Sequence, residues 1–483
     1  MLGNGIVRAL PWAAAAAILT TSGVVNASGF SAARFGGERG NPTESNPSTL
    51  YYNPAGIGFS TGTNVLIDVT TAFRSATADR PTSAIDNQNP FPDDAAKNAA
   101  ALDANSGKGT LSNTIVSPMI GVTTDFGLDI PLKAGAAFYV PFGGQAVWDK
   151  NDAADPQFPG AEDGSQRWYT IDGTIRTLAF TAGAAYYIEP ARLSIGLSGN
   201  VYLNTIETLR ARNSDGSDDL EVGGSLKEGR SLISVNSTDF GMGAGVLWEA
   251  WRRKAWVGLS YQTRPNFTGK MELDGTLENY LGAAQPNKAD VILTSSLPDV
   301  LRLGIRVRPK FRYEFRLFGD YTRWSAMDQQ CLVDASISDL DSACEVNADG
   351  SFTNPDADTG KVIQNLSRKW NDAFGVRVGG SYWISKDLEV QLGGGYDSNA
   401  IPDEALDAAL MDMDKFTATL GVVYQATEMI GLGVVATNVF YLERDTTDSA
   451  GNNDLVLPSR QPGNQAIYSQ NIFVLNTNVS LTF

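Results

Sequence analysis

The C-terminal stretch limits what this chain can fold into more than any other part of it. From Asn471 to Phe483, the apolar Phe473, Leu475, Val479, Leu481 and Phe483 alternate with Asn476, Asn478, Ser480 and Thr482; only Val474 and Thr477 break the rule. A period of two puts one row of side chains on each face of an extended strand. Two upstream segments repeat the pattern with charge. Leu301, Leu303, Ile305 and Val307 alternate with Arg302, Arg306 and Arg308, and Phe311, Tyr313, Phe315, Leu317 and Tyr321 alternate with Arg312, Glu314, Arg316 and Asp320. An arginine facing lipid near the bilayer midplane costs about 2–4 kcal/mol, so strands of this kind that cross a membrane turn their arginines inward.

About fourteen such segments are expected, near residues 63–75, 115–125, 132–140, 165–187, 193–209, 231–248, 255–275, 290–308, 311–325, 366–384, 388–398, 415–426, 429–442 and 468–483. Many approach the roughly 9 to 11 residues that a tilted strand needs to cross the apolar layer. Short links (126–131, 188–192, 249–254, 309–310, 385–387) tend to alternate with long polar ones (75–114, 141–164, 210–230, 325–365). That rhythm belongs to outer-membrane barrels, with short periplasmic turns and long outer loops, and an even strand count leaves both ends periplasmic. A secreted soluble all-β protein is the competing reading; it explains alternation but not the rhythm of the links.

The one long apolar run, Ala9 to Val25, follows Arg8 and ends in Val25-Asn26-Ala27, a small-residue site. It has the form of a cleaved signal peptide over residues 1–27. With no other run of that length, any membrane crossing must be made by strands. The expected fold is therefore all-β: a transmembrane antiparallel β-barrel of about fourteen strands over residues 63–483, in the outer membrane, preceded by a segment at 28–62 that does not read as a strand.

Composition excludes several functions. A net charge of -17 argues against nucleic-acid binding, which needs clustered Lys and Arg. The count of histidine is 0, which removes Ser-His and Cys-His nucleophile pairs, a His base and His metal ligands. Neither enzymatic activity nor a cofactor or metal is expected. The acidic loops Asp215-Gly216-Ser217-Asp218-Asp219 and Asp403 to Asp414 match no full calcium-loop motif. Cys331 and Cys344 lie in a polar Asp-rich stretch without zinc or redox-motif spacing; in an exported chain a loop disulfide is favoured over two free thiols.

The 28–62 segment opens on Ser28-Gly29-Phe30, continues through Gly36-Gly37-Glu38-Arg39-Gly40, and ends in Tyr51-Tyr52-Asn53-Pro54-Ala55-Gly56. It resembles the N-terminal hatch of the FadL/TodX family of outer-membrane transporters for long-chain fatty acids and aromatic hydrocarbons, with Asn53, Pro54, Ala55 and Gly56 the most specific match. Further matches follow in family order: Val140-Pro141-Phe142-Gly143, Leu297-Pro298 ahead of Leu301-Arg302-Leu303-Gly304, and Tyr396-Asp397 with Ile401-Pro402-Asp403. There are departures. Asn46-Pro47 stands where the family has an acidic residue and Ala, and the 210–230 loop is charged where the family offers an apolar landing site. Leu273, Leu277, Tyr280 and Leu281 are the expected substitutes.

The resemblance implies a monomeric barrel blocked by the hatch. A hydrophobic substrate, a long-chain fatty acid foremost, is captured at the outer loops, passed inward by hatch movement and released sideways through the wall. A porin for polar solutes and a non-transport structural barrel are the alternatives. The lumenal cations Arg302, Arg306, Arg308, Arg312, Arg316, Arg377 and Lys415 are candidate partners for a fatty-acid carboxylate. Most inward charges in a barrel pair with one another instead. Outer-membrane lipid and lipopolysaccharide are the expected surroundings, and the terminal Phe483 resembles the signal read by the barrel assembly machinery.

Overall fold

The computed structural model describes residues 34–128, 130–281 and 286–483; the expected signal peptide lies outside them. Fourteen antiparallel strands close into a barrel. The first six are β1 (Thr63–Arg80), β2 (Gly107–Thr124), β3 (Leu132–Val147), β4 (Asp172–Ile188), β5 (Leu193–Arg212) and β6 (Gly229–Trp251). Four strands then come in two pieces each: β7 (Ala255–Gln262, Met271–Tyr280), β8 (Asn287–Ser295, Val300–Lys310), β9 (Tyr313–Thr322, Gln329–Asp334) and β10 (Val362–Ser367, Ala373–Trp383). The last four are β11 (Leu388–Asp397), β12 (Lys415–Gln425), β13 (Ile430–Tyr441) and β14 (Ile467–Thr482). β14 pairs with β1 from Asn64↔Thr482 to Asp79↔Ile467, which closes the sheet on itself.

Side-chain parity follows the alternation. Leu301, Leu303, Ile305, Phe315 and Leu317 are exposed on the outer face, whereas Arg302 and Arg316 are buried inside. Arg312 departs from the expectation: it sits in the β8–β9 turn, where the strand pattern has ended, and is exposed. Val474 breaks the alternation for a reason. It faces inward and is buried with Ile472, Val439, Ile115 and Val140 in an apolar patch of the lumen wall. Exposed aromatics gather near both ends of the strands, Tyr186, Trp248, Tyr313 and Tyr382 towards the short turns and Tyr261, Tyr321, Phe374 and Phe416 towards the long loops. These are the two interfacial girdles of a membrane barrel.

Two boundaries differ from the sequence reading. β1 and β2 continue as a paired ribbon to Arg80↔Gly107, well into the stretch read as a long loop. Small residues such as Ser75, Ala76, Thr77 and Ala78 carry too little hydropathy to signal strand there. The expected strands 255–275, 290–308 and 366–384 are interrupted at 263–270, 296–299 and 368–372, and past a break at 323–328 the ninth strand resumes as Gln329–Asp334, inside the stretch read as a long loop. Pro265 and Pro298 lie in two of these breaks, and proline has no N–H to give a ladder. The outer halves of these strands turn Leu273, Leu277, Leu293 and Leu332 into a large apolar core that fills the outer part of the barrel.

Candidate functional site

The hatch runs from Arg34 to Gly62 through the periplasmic half of the lumen. A short helix, α1 (Thr49–Tyr52), leads into a 3-10 segment, Pro54–Phe59, and proline at its first position suits a helix start. Asn53 joins the two. Its Oδ1 accepts from the Ala55 N–H at 3.1 Å, and its Nδ2 donates to the carbonyls of Pro42 (2.8 Å) and of Val246 on β6 (3.0 Å). One side chain thus caps a helix and pins the turn to the wall, which explains the choice of Asn. Ala55 and Ile57 are fully buried. A Cβ on Gly56 would collide with Thr49 Oγ1 and the Glu44 carbonyl, and a Cβ on Gly196 of β5 would collide with the Pro54–Ala55 backbone. Both glycines permit close approach. Gly56→Ala is therefore expected to cost about 1–3 kcal/mol of overpacking and to undock the hatch. Limited proteolysis of the folded protein in detergent reads it: cleavage within 34–62 should rise while the barrel stays resistant, and unchanged protection would refute the tight contact.

Charge holds the hatch as well. Arg39 pairs with Glu389 of β11, Glu44 with Arg306 of β8 at 3.2 Å, and Arg34 with Asp397 of β11 at 3.7 Å. Glu389 also accepts from Ser381 and Gln391. Breaking such a pair by removing one partner costs about 3–5 kcal/mol, because the other charge is left buried. Of the sequence-predicted cations, Arg302, Arg306 and Arg377 belong to or adjoin this network, Arg316 and Lys415 pair elsewhere in the lumen, and Arg308 and Arg312 stand near the turns. Arg302 donates to the Tyr51 carbonyl at 3.3 Å and lies 4.4 Å from the Tyr51 ring centre. Arg316 bonds Ser381 (2.6 Å) and faces Glu314 (3.6 Å). Arg377 bridges Asp320 (2.7 Å) and Asp397 (2.5 Å), and Lys415 pairs with Asp412 at 2.6 Å. Arg308 lies over the Trp383 ring at 4.0 Å.

The wall has one poorly paired seam among the described residues. β2 and β3 bond only from Ile120↔Phe138 to Thr124↔Ala134. Beyond that, β3 slips register against β4 between Tyr139 and Phe142, and prolines stand at 118 on β2 and 141 on β3. The two strands meet again where Asn113 Nδ2 donates to the Gln145 carbonyl at 2.9 Å. Between these points no β2–β3 pairing holds the wall, a gap in the ladder on whose inner side Ile115 and Val140 are buried.

Outward of the hatch, three cavities share walls. The central one, about 80 Å³, is lined by Ile206, Ile233, Leu293, Leu332 and Leu366, with Arg210 and Arg368 among its walls. It shares Ile175 and Ile206 with a cavity of about 20 Å³. It shares Thr208 and Leu410 with one of about 40 Å³, which reaches Gly144 and Gln145 at the rim of the gap. Arg368 has Asp407 at 2.8 Å. Arg210 makes no ion pair within 4 Å among the described residues: it is buried, donates one N–H to Gln364, its Nε is without a partner, and the acid that acts on it, Asp407, is paired with Arg368. Sequence reasoning placed Arg210 at the start of a charged loop. The signal was there, since Tyr202, Asn204 and Ile206 face inward on β5 and Arg210 continues the same parity.

The outer loops form a cap knitted by ion pairs. Arg80 meets Asp218 at 2.6 Å, Arg167 meets Glu228 at 2.9 Å, and Arg230 meets Asp163 at 2.6 Å. Lys227 takes Asp215 at 2.6 Å; partial burial works against ionisation, yet the lysine and Ser217 hold the Asp215 carboxyl down to about 2. The acidic loops are thus matched with protein cations. A surface cavity of about 470 Å³ opens between the loops, with Phe158, Leu220, Leu226 and Tyr280 in its walls. Of the leucines expected at an apolar landing site, Leu273 and Leu277 instead face the core, because their strand half points them inward. Cys331 and Cys344 form a disulfide that ties β9 to a short helix, Leu340–Cys344, in the following loop.

Comparison with known proteins fits this geometry. The chain matches the family model described as outer membrane protein transport protein (OMPP1/FadL/TodX) over residues 6–483. A long-chain fatty acid transport protein of Escherichia coli is 24% identical over 212 residues, spanning 41% of each chain, so the chain matches about two-fifths of that relative's length. Among solved structures, a Pseudomonas aeruginosa FadL homologue has a TM-score of 0.71 at 16% identity, covering 96% of this chain and 100% of its own. The Pseudomonas putida toluene transporter TodX has a TM-score of 0.59 at 15% identity, covering 90% and 94%. The chain belongs to the OMPP1/FadL/TodX family of outer-membrane transport proteins.

Proposed function

We propose that this protein is a passive uptake channel for hydrophobic compounds that carry an anionic head, long-chain fatty acids foremost. The observation that carries this reading is Arg210. A buried guanidinium with no ion pair of its own, next to a second arginine that takes Asp407, is costly, and an apolar cavity beside it is a poor place to leave one. A carboxylate arriving with an alkyl chain satisfies both, its head on Arg210 and Arg368 and its tail among Ile206, Leu293 and Leu332. Capture occurs at the loop cavity near Leu226 and Tyr280, and release is sideways through the β2–β3 gap into the membrane. The hatch, held by Arg39, Glu44 and Arg34, blocks water and polar solutes throughout. Arg302, Arg306 and Arg377 serve the hatch in this scheme rather than the cargo head. The names of the relatives span both cargo types, a long-chain fatty acid transport protein and toluene transporters.

Lipid extraction and mass spectrometry of the purified protein test the reading. Long-chain carboxylic acids should co-purify in excess over neutral hydrocarbons, and added oleate should bind saturably. Extracts holding neutral hydrocarbons alone, with no oleate binding, would overturn the assignment of an anionic head.

A further inference from the structure

The Val140-Pro141-Phe142-Gly143 segment does more than interrupt the wall. The Phe142 ring is buried and meets Trp324 edge-on, with ring centroids 6.3 Å apart and planes at 75°. Trp324 in turn meets Trp370 at 5.0 Å. Phe142 lies on β3, whereas the two tryptophans lie in the breaks of β9 and β10, on the far side of the barrel. The three rings therefore bridge the lumen.

The bridge has a defined level. Along β3, Tyr139 packs on the hatch, with its ring 5.3 Å from Tyr51 and 5.6 Å from Phe35. Phe142 comes next, and Gly144 and Gln145 then line the cavity chain. The bridge thus stands between hatch and cavities, beside the gap. Its two ends are held differently. The tryptophan side is knit by backbone bonds, Met327 N–H to the Trp324 carbonyl at 2.8 Å and Trp370 N–H to the Met327 carbonyl at 3.2 Å. The Phe142 side lacks pairing with β2 and follows directly on a register shift against β4, with pairing resuming at Phe142↔Thr177. Of the two ends, the Phe142 side is the less tied by backbone pairing. Movement is also needed, because the three linked cavities, about 80, 40 and 20 Å³, fall well short of the roughly 300 Å³ at the lower end of ligand sites.

We propose that Phe142 is the size-selecting gate of the transport route: cargo passes from the cavities to the wall gap only when the Phe142 ring leaves Trp324. This rests on the uptake reading, and binding measured apart from uptake keeps the two distinguishable. In the full-length protein, Phe142→Ala and the milder Phe142→Leu should bind oleate within about twofold of the unaltered chain yet raise its uptake by about threefold, with a larger gain for a pyrene-tailed fatty acid. A second variant pair locks the gate. Phe142→Cys with Trp324→Cys, bridged by a short bifunctional methanethiosulfonate, should lose uptake and regain it when the bridge is reduced; the unaltered protein under the same reductant controls for Cys331–Cys344. Toluene is run beside oleate. Absence of oleate binding would refute the carboxylate cargo while toluene still reads the gate. Unchanged uptake in the bridged protein, unchanged size selection in the Phe142 variants, or no uptake of either probe would overturn the gate.

Discussion

Deleting Ser28 to Gly56 should turn a poorly conducting protein into a leaky one and end selective uptake at the same time. Barrels of about eight strands are filled by their own side chains and those of 16 to 18 strands hold an aqueous channel, so fourteen strands leave a lumen that something else must fill. Here the hatch fills its periplasmic half, through Phe35, Leu50, Tyr51 and Ile57. Removing it exposes Arg302, Arg306, Glu314, Arg316, Glu389 and Arg377, a charged surface that water wets readily. The outer core then rests only on its own loops. Conductance in planar bilayers should rise on the order of tenfold, in flickering openings as the outer loops fluctuate. Uptake of oleate by cells should fall to that of cells without the protein. Heat-modifiable migration on a gel confirms that the deleted form still folds. Unchanged conductance in a folded deletion would mean that the hatch is not the plug.

Replacing Arg210 by methionine should weaken oleate binding roughly a hundredfold, about 3 kcal/mol, because it removes the buried cation that receives the head group. Methionine keeps the length and apolar bulk of the side chain, so the cavity among Ile206, Leu293 and Leu332 should survive. The neutral analogue oleyl alcohol separates head from tail. Its binding should change little in the variant, or improve, since an uncompensated charge has gone from an apolar cavity. Titration of both ligands on the purified protein decides the matter. Equal losses for acid and alcohol would mean that Arg210 supports the cavity wall rather than the head group.

How much of this was legible in the sequence depended on whether the signal was periodic. Strand faces were, because lipid tolerates no arginine and the lumen tolerates many: Leu301, Leu303 and Ile305 against Arg302 read correctly without coordinates. The hatch was legible through the Asn53-Pro54-Ala55-Gly56 turn, whose Asn bonds β6 across 193 positions of sequence. That partner was not legible, since nothing local to Val246 marks its carbonyl. The breaks in β7 to β10 were missed because apolar residues continue through them: Leu297, Trp324 and Trp370 look like strand residues and serve the lumen instead. The apolar cavity beside Arg210 was missed for a related reason. The set read as lumen-facing, Arg302, Arg306, Arg308, Arg312, Arg316, Arg377 and Lys415, came from strands with clear periodicity, whereas what distinguishes Arg210 is that it lacks an ion pair of its own while Arg368 holds Asp407, which only packing in three dimensions reveals.

A plugged barrel of this kind should pass hydrophobic acids without passing water. That expectation is tested most directly by measuring, on one preparation of the intact protein, ion conductance in planar bilayers and saturable uptake of labelled oleate into the cells that supplied it. The account predicts conductance close to that of the bare bilayer together with oleate uptake that depends on the protein. Steady porin-like conductance, with oleate uptake no greater than in cells lacking the protein, would contradict it and make the chain a pore for polar solutes.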